Sequence, residues 1–330
     1  MQSFEAVVDL IHHHQKFVLT THVNPDGDGL GSEIALAEWL THQGKGVRII
    51  NHSGTPDVYR FLDPGNLIHR YDEASDGTVI DAADVIVVMD ANHPERLRSM
   101  TQRVLASRAV KVCIDHHLDA APFAETYFID EDATSTGEIV YRLLARMDAG
   151  GISAHIATAL YCAIMTDTGS FRYPRVDAEI HRIIAHLIEC GADPVAIYHQ
   201  VYEQWTAGRI TLLGETLASL KTEYDGRVAH VVVTQDVLKH TGTMVDDTDN
   251  FSTYPMSIAG VVAGILFVEL ADGVKISFRS RGDIPINELA KEFGGNGHRN
   301  AAGARVQGMD LRALREKVIR AAAKYVNAPV

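Results

Sequence analysis

Three short apolar segments of this chain are each followed directly by histidine or aspartate. The segments 17–21, 85–89 and 110–114 are apolar enough to be buried strands of a parallel sheet. Because the carboxyl ends of parallel strands line one crevice, the polar residues that follow these segments should converge. Those residues are His22, Asp26, Asp28, Asp90, Asp115, His116 and His117.

The order of the predicted elements indicates an α/β fold with two domains, in agreement with a length of 330 residues. In residues 1–190, apolar segments alternate with segments of helical periodicity, which predicts a catalytic domain with a parallel sheet covered by helices on both faces. The composition changes within 191–210, which we predict to be a linker. Strand-like and helical segments resume in 211–330 and predict a second, smaller α/β domain.

The balance of charge limits the ligands that the chain could bind. With 43 acidic and 30 basic residues, its formal charge is −13, which disfavours a protein that wraps duplex nucleic acid. A nucleic-acid substrate should therefore be short and held locally. Cys113, Cys162 and Cys190 lie in apolar surroundings without CxxC spacing, as expected of reduced cysteines in a cytoplasmic protein. We also expect no signal peptide and no membrane span, because no apolar stretch of about 18 residues occurs.

Four aspartates and three histidines at one edge of a sheet indicate a metal site. Carboxylates that close together repel one another unless cations neutralise them. Mixed imidazole and carboxylate ligands suit Mn²⁺, Fe²⁺, Co²⁺ or Zn²⁺, and the lack of cysteine ligands argues against structural zinc. Two ions about 3.5–4 Å apart, bridged by an aspartate and a hydroxide, are an arrangement that hydrolyses phosphoesters. Taken singly, each motif also has a structural explanation, as a turn, a helix cap or a buried histidine pair.

Two further groups of residues could belong to a site. Asp167 ends an apolar helical segment, where the helix dipole disfavours an acid unless a cation is near, although an ordinary loop aspartate explains it as well. In the second domain, the sequences 277–281 and 294–303 carry Arg279, Arg281 and His298 beside several glycines. Exposed backbone N–H groups and these side chains would suit a phosphate, while a helix end followed by a turn is the structural alternative.

Taken together, the motifs resemble those of the DHH phosphoesterase family over nearly the full chain. The sequence 21–32 resembles its first motif, Asp90 stands in the second, 115–117 is the Asp-His-His that names the family, and Asp167 lies in the fourth. The sequence 294–303, with Gly-Gly-Asn-Gly-His and Ala-Ala-Gly, resembles the loop of the DHH-associated domain. The occurrence of this loop together with the sequence Ser-Phe-Arg-Ser-Arg at 277–281 is most similar to the bacterial oligoribonuclease and pAp phosphatase group, the nanoRNases.

The resemblance implies two divalent ions, Mn²⁺ first, with Mg²⁺ or Co²⁺ as alternatives. It implies one ion held by His22, Asp26, Asp90 and Asp167, and another by Asp28, Asp90, His116 and Asp167, with Asp115 as a further metal-binding residue. His117 would lie beside the ions, where it would contact the scissile phosphate or assist protonation of the leaving group. It places the active site in a cleft between the domains and implies these substrate-binding residues: Arg279, Ser280, Arg281, Gly295, Gly297, His298, Ala302 and Gly303. Asn296 replaces the glycine of many relatives, although asparagine tolerates left-handed backbone angles.

The function implied by the resemblance is hydrolysis of RNA about two to five nucleotides long, and of 3′-phosphoadenosine 5′-phosphate (pAp) to AMP. A phosphodiesterase of cyclic or linear dinucleotides shares both domains and stays an alternative. Inorganic pyrophosphatases and long-strand exonucleases fit less well, because they have a different second domain or further domains. A nucleotide sensor is disfavoured by the intact metal motifs. The expected partners are short single-stranded RNA and nucleotides, not duplex nucleic acid or membranes. Relatives in the family are often dimers, so the resemblance also allows a homodimer.

Overall fold

The computed structural model describes residues 4–148 and 151–326 of the chain. The chain divides into two compact units, unit 1 ending at Gln204 and unit 2 beginning at Trp205. This division falls inside the segment 191–210, which contains the helix Pro194–Tyr202. Across the described residues, the helices are too short or too polar to cross a membrane.

Unit 1 is built around a six-stranded sheet in which all neighbouring strands run parallel, as predicted. Its described strands are β1 Lys16–Thr20, β2 Gly46–Asn51, β3 Ile68–Arg70, β4 Val85–Met89, β5 Val110–Asp115 and β6 Thr126–Ile129. Its described helices are α1 Phe4–His13, α2 Gly27–His42, α3 Glu73–Asp81, α4 Thr101–Ala106, α5 Thr136–Asp148, α6 Ala154–Asp167, α7 Ala178–Glu189 and α8 Pro194–Tyr202. The strand order is β3-β2-β1-β4-β5-β6, so that β1, β4 and β5 are neighbours.

Alternate residues of the central strands enter two different cores. Leu19 and Val87 belong to the larger core, which includes residues of α2, α5, α6 and α7. Val18, Ile86 and Val88 belong to a smaller core with residues of α3 and α4 on the other face. Because both faces of the sheet are buried, these strands have to be apolar throughout, and this is the pattern that predicted them.

Helices α2 and α6 approach closely at Gly31. A methyl group at Gly31 would lie 2.3 Å from the carbonyl oxygen of Ala159 and 3.1 Å from the side chain of Ala163. Because a backbone oxygen cannot move aside without shifting its helix, this contact requires glycine. The contact fixes α2, whose first turn carries Asp28, against α6, which ends at Asp167.

Unit 2 is a smaller α/β unit with a mixed sheet of order β11-β12-β10-β9-β8-β7. Strands β8 and β9 are parallel and the other neighbours are antiparallel. The described strands are β7 Lys221–Glu223, β8 Val228–Val233, β9 Ala263–Leu270, β10 Gly273–Ser280, β11 Asn296–His298 and β12 Ala301–Gln307. The described helices are α9 Ala207–Ala218, α10 Gln235–Thr241, α11 Ile286–Lys291 and α12 Leu311–Val326.

The two faces of this second sheet are covered to different extents. Residues of α11 and α12 pack on one face with Ile276 and Phe278 of β10. On the other face, residues of α9 and α10 pack with Leu266 and Val268 of β9. The residues that β10, β11 and β12 present on that second face are half-buried or exposed. We call this part of the sheet the open face.

Gly31→Ala should destabilise unit 1. We expect a loss of roughly 2–3 kcal/mol in the free energy of unfolding, because the added methyl group overpacks a helix contact that cannot relax locally. Chemical denaturation followed by circular dichroism measures this loss.

Gly214→Ala provides the matched control. Gly214 lies inside α9, and an added methyl group there has no neighbouring atom within 4 Å. Alanine at this position should raise stability by up to about 1 kcal/mol, because it favours the helix. Equal effects of the two substitutions would contradict the packing argument.

Candidate functional site

The structure brings the histidines and aspartates of unit 1 together at the carboxyl ends of β1, β4 and β5. The Nε2 atom of His22 lies 3.2 Å from Oδ2 of Asp90. The Nε2 atom of His116 lies 3.3 Å from Oδ2 of Asp167, 3.7 Å from Oδ1 of Asp90 and 3.8 Å from Oδ2 of Asp28. The predicted convergence of separate segments is therefore present, and Asp167 belongs to the cluster.

Two helix N-termini hold the aspartates of the first motif. Asp26 caps α2, and its Oδ1 accepts hydrogen bonds from the amides of Asp28 at 3.0 Å and Gly29 at 3.2 Å. Both oxygens of Asp28 accept from the first amides of α5, at 2.7 Å from Thr136 and 2.8 Å from Gly137. Backbone N–H groups at helix N-termini are well placed to stabilise carboxylates. Thr136 was not predicted from the sequence, although the Thr-Ser-Thr at 134–136, where α5 begins, is typical of a helix start.

Asp90 has a backbone conformation that aspartate seldom adopts. Its φ is 55°, in the left-handed region, directly after β4. The Thr136 hydroxyl donates to its Oδ1 at 3.2 Å, and the Arg96 guanidinium donates to its carbonyl oxygen at 3.3 Å. Residues held in sparsely populated conformations cost about 1–3 kcal/mol and cluster at functional sites. The turn directs the Asp90 carboxylate towards both His22 and His116.

Asp115 organises the Asp-His-His sequence. Its Oδ1 accepts from the amides of His116 at 2.6 Å and His117 at 3.1 Å and lies 2.7 Å from Nδ1 of His117. Burial lowers the pKa of His117, but Asp115 and Asp90 raise it more, so the pKa lies above its ordinary value. The amide of Asn92, a residue that sequence analysis missed, donates to the carbonyls of His117 at 3.0 Å and Leu118 at 2.9 Å and fixes this loop.

The imidazoles are oriented in the way that metal-binding histidines usually are. The Nδ1 atom of His22 lies 2.9 Å from the Val23 carbonyl oxygen, and the Nδ1 atom of His116 lies 3.4 Å from the Ala133 carbonyl oxygen. In both rings Nε2 is buried and has no hydrogen-bond partner among the described residues, although carboxylates surround it. Metal-binding histidines commonly donate their other N–H to a carbonyl or carboxylate. These orphaned nitrogens fit a cation.

The electrostatics of the cluster also fit a cation. Burial, followed by the negative charges of Asp90 and Asp167, raises the pKa of Asp28 well above its ordinary value. Burial and the carboxylates of Asp90 and Asp26 raise the pKa of Asp167 to about 7. Burial lowers the pKa of His22, but Asp26 and Asp90 raise it to about 10. Neighbouring carboxylates contribute to all three shifts, in addition to burial at Asp28 and Asp167, and divalent ions would neutralise their negative charge.

Three groups of side chains in the described residues have ligand atoms within 4.8 Å of one another. They are His22 with Asp26 and Asp90; Asp28 with His116 and Asp167; and Asp90 with Asp115, His116 and His117. Bonds of about 2.1 Å from an ion to its ligands place those ligands within about 4.2 Å of one another, so small side-chain movements would suffice. The donor set is composed of imidazole nitrogens and carboxylate oxygens, without sulfur.

A buried pair behind the cluster was not predicted from the sequence. The Asn51 amide donates to Oε2 of Glu33 at 2.8 Å, and its oxygen accepts from the Thr21 amide at 3.0 Å, next to His22. Burial raises the pKa of Glu33 to about 8. Glu33 lies at a fully buried position of α2, and an acid on the apolar side of a helix was the signal that could have revealed it.

A cavity of about 240 Å³ lies beside the cluster in unit 1. His116 and Asp167 line it on one side, and Tyr173 and Arg175 also contribute to its wall. Arg175 donates to the carbonyl of Ala133 at 3.3 Å. It brings a positive charge near the carboxylates, which sequence analysis did not predict, since it lies in an irregular segment after α6.

In unit 2, the pairing of strands places two predicted residues in one row. Arg279 of β10 and His298 of β11 both pair with Ala301 of the intervening strand β12. Directly paired residues of an antiparallel sheet point to the same face. Arg279 and His298 therefore share the open face, with only the small Ala301 side chain between them. Gly303 lies exposed on the same face, next to this row.

The predicted residues of unit 2 also have contacts within the protein, and Arg279 itself donates to the Phe278 carbonyl at 3.0 Å. The Ser280 hydroxyl donates to the Ile284 carbonyl at 2.8 Å, and the Arg281 guanidinium donates to the Met256 carbonyl. The side chain of Ala302 is buried in the core on the opposite face. Gly297 has φ 143°, and a methyl group there would lie 2.5 Å from the Ala301 carbonyl oxygen, so the hairpin β11–β12 requires glycine. Gly295 also belongs to this hairpin, and its amide donates to the Ala290 carbonyl at 2.9 Å.

Comparison with known proteins relates the two units to known domains. A model of the DHH family, N-terminal domain, matches residues 16–164, and a DHHA1 domain model matches residues 225–324. The chain is 28% identical over 306 residues to the bifunctional oligoribonuclease and PAP phosphatase NrnA of Thermus thermophilus, covering 92% of this chain and 88% of that protein. The protein of that name from Bacillus subtilis is 28% identical over 301 residues, with 90% and 91% covered. An exopolyphosphatase-related protein from Bacteroides fragilis has a similar crystal structure, with a TM-score of 0.93, 32% identity and coverage of 98% and 97%.

Asp167→Asn should stabilise the metal-free protein at alkaline pH. The pKa of about 7 in the folded chain exceeds the ordinary value of 3.8, so the stability gained from the protonated form is lost as pH rises through 7. Asparagine has no charge to repel Asp90. At pH 8 we expect the variant to gain about 1 kcal/mol in free energy of unfolding, allowing for solvent screening, and to lose this advantage near pH 4.

Excess Mn²⁺ should reverse the order of stability, because the variant lacks a carboxylate to bind the cation. Thermal unfolding with EDTA or Mn²⁺, together with calorimetric titration of the metal, measures both effects. Asp283→Asn is the control, since Asp283 is fully exposed in unit 2. A variant that is less stable without metal, or that binds Mn²⁺ as tightly as the wild type, would contradict this account.

Proposed function

Since this chain belongs to the DHH family and carries a DHHA1 domain, we propose that it is a metal-dependent phosphoesterase acting on short RNA and on pAp. It would hydrolyse single-stranded RNA about two to five nucleotides long to mononucleotides, and pAp to AMP. The observation that carries this proposal is the cluster of imidazole and carboxylate side chains, in which the Nε2 atoms of His22 and His116 are buried without a hydrogen-bond partner among the described residues. The similarity to two proteins named as oligoribonucleases and PAP phosphatases supports the choice of substrates.

We propose that two divalent ions, Mn²⁺ first, occupy the cluster, because mixed imidazole and carboxylate donors suit Mn²⁺. His22, Asp26, Asp90 and Asp167 would hold one ion, and Asp28, Asp90, His116 and Asp167 the other. The short distances from Asp90 to both His22 and His116 support its role as the shared ligand. Two such ions would supply an activated water and stabilise charge on the phosphoryl oxygens.

The residues around the cations would position the groups that react. Asp28 stays fixed by two amides of α5, and Asp90 by the Thr136 hydroxyl. Asp115 accepts from Nδ1 of His117 and thereby directs Nε2 away from itself. With its pKa raised, His117 would hold a proton at Nε2 and donate it to the leaving oxygen. The second oxygen of Asp115 is buried without a hydrogen-bond partner among the described residues, so it could contact a cation.

Unit 2 would bind the nucleotide. We propose that Arg279 and His298 contact a phosphate of the substrate from the open face, since they share one row of the sheet. Gly295, Gly297, Ala302 and Gly303 would contribute through their backbone, and Ser280 and Arg281 would hold the neighbouring loop in place. A location in the cytoplasm is part of the proposal, supported by three cysteines without disulfides.

Incubation with Mn²⁺ and a panel of substrates tests the proposed function. The panel contains RNA of two, three and five nucleotides, pAp, a cyclic dinucleotide and pyrophosphate. We expect mononucleotides from the RNAs and AMP from pAp. Asp90→Ala and the isosteric Asp90→Asn should lose hydrolysis and metal binding together, because Asp90 is the proposed shared ligand, while circular dichroism verifies folding.

Other outcomes of the panel would replace the proposal. Preference for the cyclic dinucleotide would indicate a phosphodiesterase of second messengers instead. Metal binding without hydrolysis of any compound would indicate a nucleotide sensor. Near-normal turnover by Asp90→Asn would contradict the two-metal arrangement.

Arg279→Ala should raise KM for nucleotide substrates about tenfold, because it removes a charged hydrogen-bond donor to phosphate. The content of bound metal should not change, because Arg279 lies in unit 2 and the proposed ligands lie in unit 1. Arg299→Ala is the matched control, since Arg299 lies between β11 and β12, next to His298, but pairs with Asp283 at 3.2 Å. Loss of metal from Arg279→Ala would contradict this division of roles.

A further inference from the structure

The open face of unit 2 continues beyond Arg279 and His298. Two residues back along β10, Ser277 pairs with Gly303 of β12, which also pairs with Asn296 of β11. Two residues further, Lys275 pairs with Arg305. We call Ser277, Gly303 and Asn296 the middle row, and Lys275 and Arg305 the outer row. The residues of both rows share the face of Arg279, because side chains in a strand alternate with a period of two.

The middle row leaves space for a ligand. Gly303 has no side chain and Ser277 has a short one, so Asn296 is the largest side chain of the row that separates the two charged rows. A cavity of about 360 Å³ lies over this surface and is lined by Lys275, Ser277, Asn296 and Arg305 among others. Its charged side chains, Lys275 and Arg305, are both positive, and none of the described residues that line it is phenylalanine, tyrosine or tryptophan. It therefore suits a phosphate backbone better than a stacked base.

The distance between the rows fits an oligonucleotide. Strand residues rise about 3.4 Å each, so the outer row lies about 14 Å from Arg279 along the sheet. A stacked single strand rises by about 3.4 Å per nucleotide, so this span exceeds the reach of a mononucleotide or of pAp. About four such rises span the distance between the rows. We propose that Lys275 and Arg305 form a second phosphate site for the backbone of RNA substrates of about five nucleotides. This inference rests on the proposed function.

Both cations of the outer row have an acidic neighbour that RNA would have to replace. Lys275 lies 3.6 Å from Asp249, and Arg305 lies 3.1 Å from Asp272. These pairs are solvent-exposed, and such pairs contribute little to stability, so a phosphate can compete for the cations. The acidic neighbours also keep the outer row weak in the absence of RNA. The site would consequently favour substrates already anchored at Arg279 and His298.

The test measures how activity depends on substrate length. For the wild type, Lys275→Gln, Arg305→Gln and the double variant, initial rates of loss of full-length substrate give kcat/KM for pAp, a dinucleotide and a five-nucleotide RNA with Mn²⁺. In the double variant, the ratio of kcat/KM for the five-nucleotide RNA to that for pAp should fall about tenfold. The slope of log kcat/KM against log salt for the five-nucleotide RNA should become shallower by about 1.4, or 0.7 for each lost phosphate contact.

Two control variants separate phosphate binding from other effects. Arg312→Gln removes an exposed arginine of α12 that also pairs with an acid, Glu316 at 3.4 Å, and should keep the ratio of the wild type. Asp272→Asn breaks the ion pair of Arg305 but keeps the cation, so the ratio should not fall. If Asp272→Asn lowers the ratio as much as Arg305→Gln does, the outer row acts through the ion pair and the inference is wrong.

The remaining outcomes distinguish this inference from the proposed function. If the wild type hydrolyses pAp and RNA but the double variant keeps its ratio and salt slope, the second phosphate site is wrong and the proposed function stands. If the wild type hydrolyses neither substrate while it binds Mn²⁺, the proposed function itself fails, and the inference fails with it.

Discussion

Mutual repulsion among the carboxylates of Asp28, Asp90 and Asp167 is the constraint on which the rest of unit 1 depends. Backbone amides offset part of it at Asp28, where the N-terminus of α5 donates two hydrogen bonds. In the part of the chain that the structure describes, no backbone amide donates to the Asp167 carboxylate, and its pKa is raised to about 7 despite the nearby Arg175. The fold thus holds the charges in place without neutralising them, which leaves the site with a strong tendency to bind cations.

Several elements far apart in the sequence are needed to hold this arrangement. The close contact of α2 with α6 at Gly31 sets the distance between the helix that carries Asp28 and the helix that ends at Asp167. The left-handed turn at Asp90 adds backbone strain, and the buried Glu33 adds another acid behind His22. Such costs are tolerated where a large apolar core supplies the stability, as the two cores of this sheet do.

The sequence was sufficient to predict the parallel sheet and the convergence of its polar ends, because strands buried on both faces must be apolar and parallel strands end together. It could not reveal the partners of those residues. Asp28 contacts Thr136, 108 positions away, and Asn92 holds a loop 25 positions away. The short edge strands β3, β6, β7 and β11 were not predicted either, since three or four residues that are mostly exposed or half-buried carry too weak a pattern. The sequence also could not show which predicted nucleotide-binding residues face the ligand. Arg279 lies on the open face and Ala302 in the core because of the strand register, which a sequence does not display.

Unit 1 concentrates acidic side chains, whereas unit 2 places basic side chains on one face of its sheet. This difference explains how an acidic chain could act on an anionic substrate. Unit 1 concentrates buried acids that attract cations, so its local charge depends on the metal that it binds. Unit 2 places Arg279, His298, Lys275 and Arg305 on the open face of its sheet, where nearby acids moderate the outer pair. A chain with a formal charge of −13 repels long polyanions at a distance. If the proposed function holds, productive binding would depend on these local contacts, and the contrast between overall and local charge would favour short substrates over long polyanions.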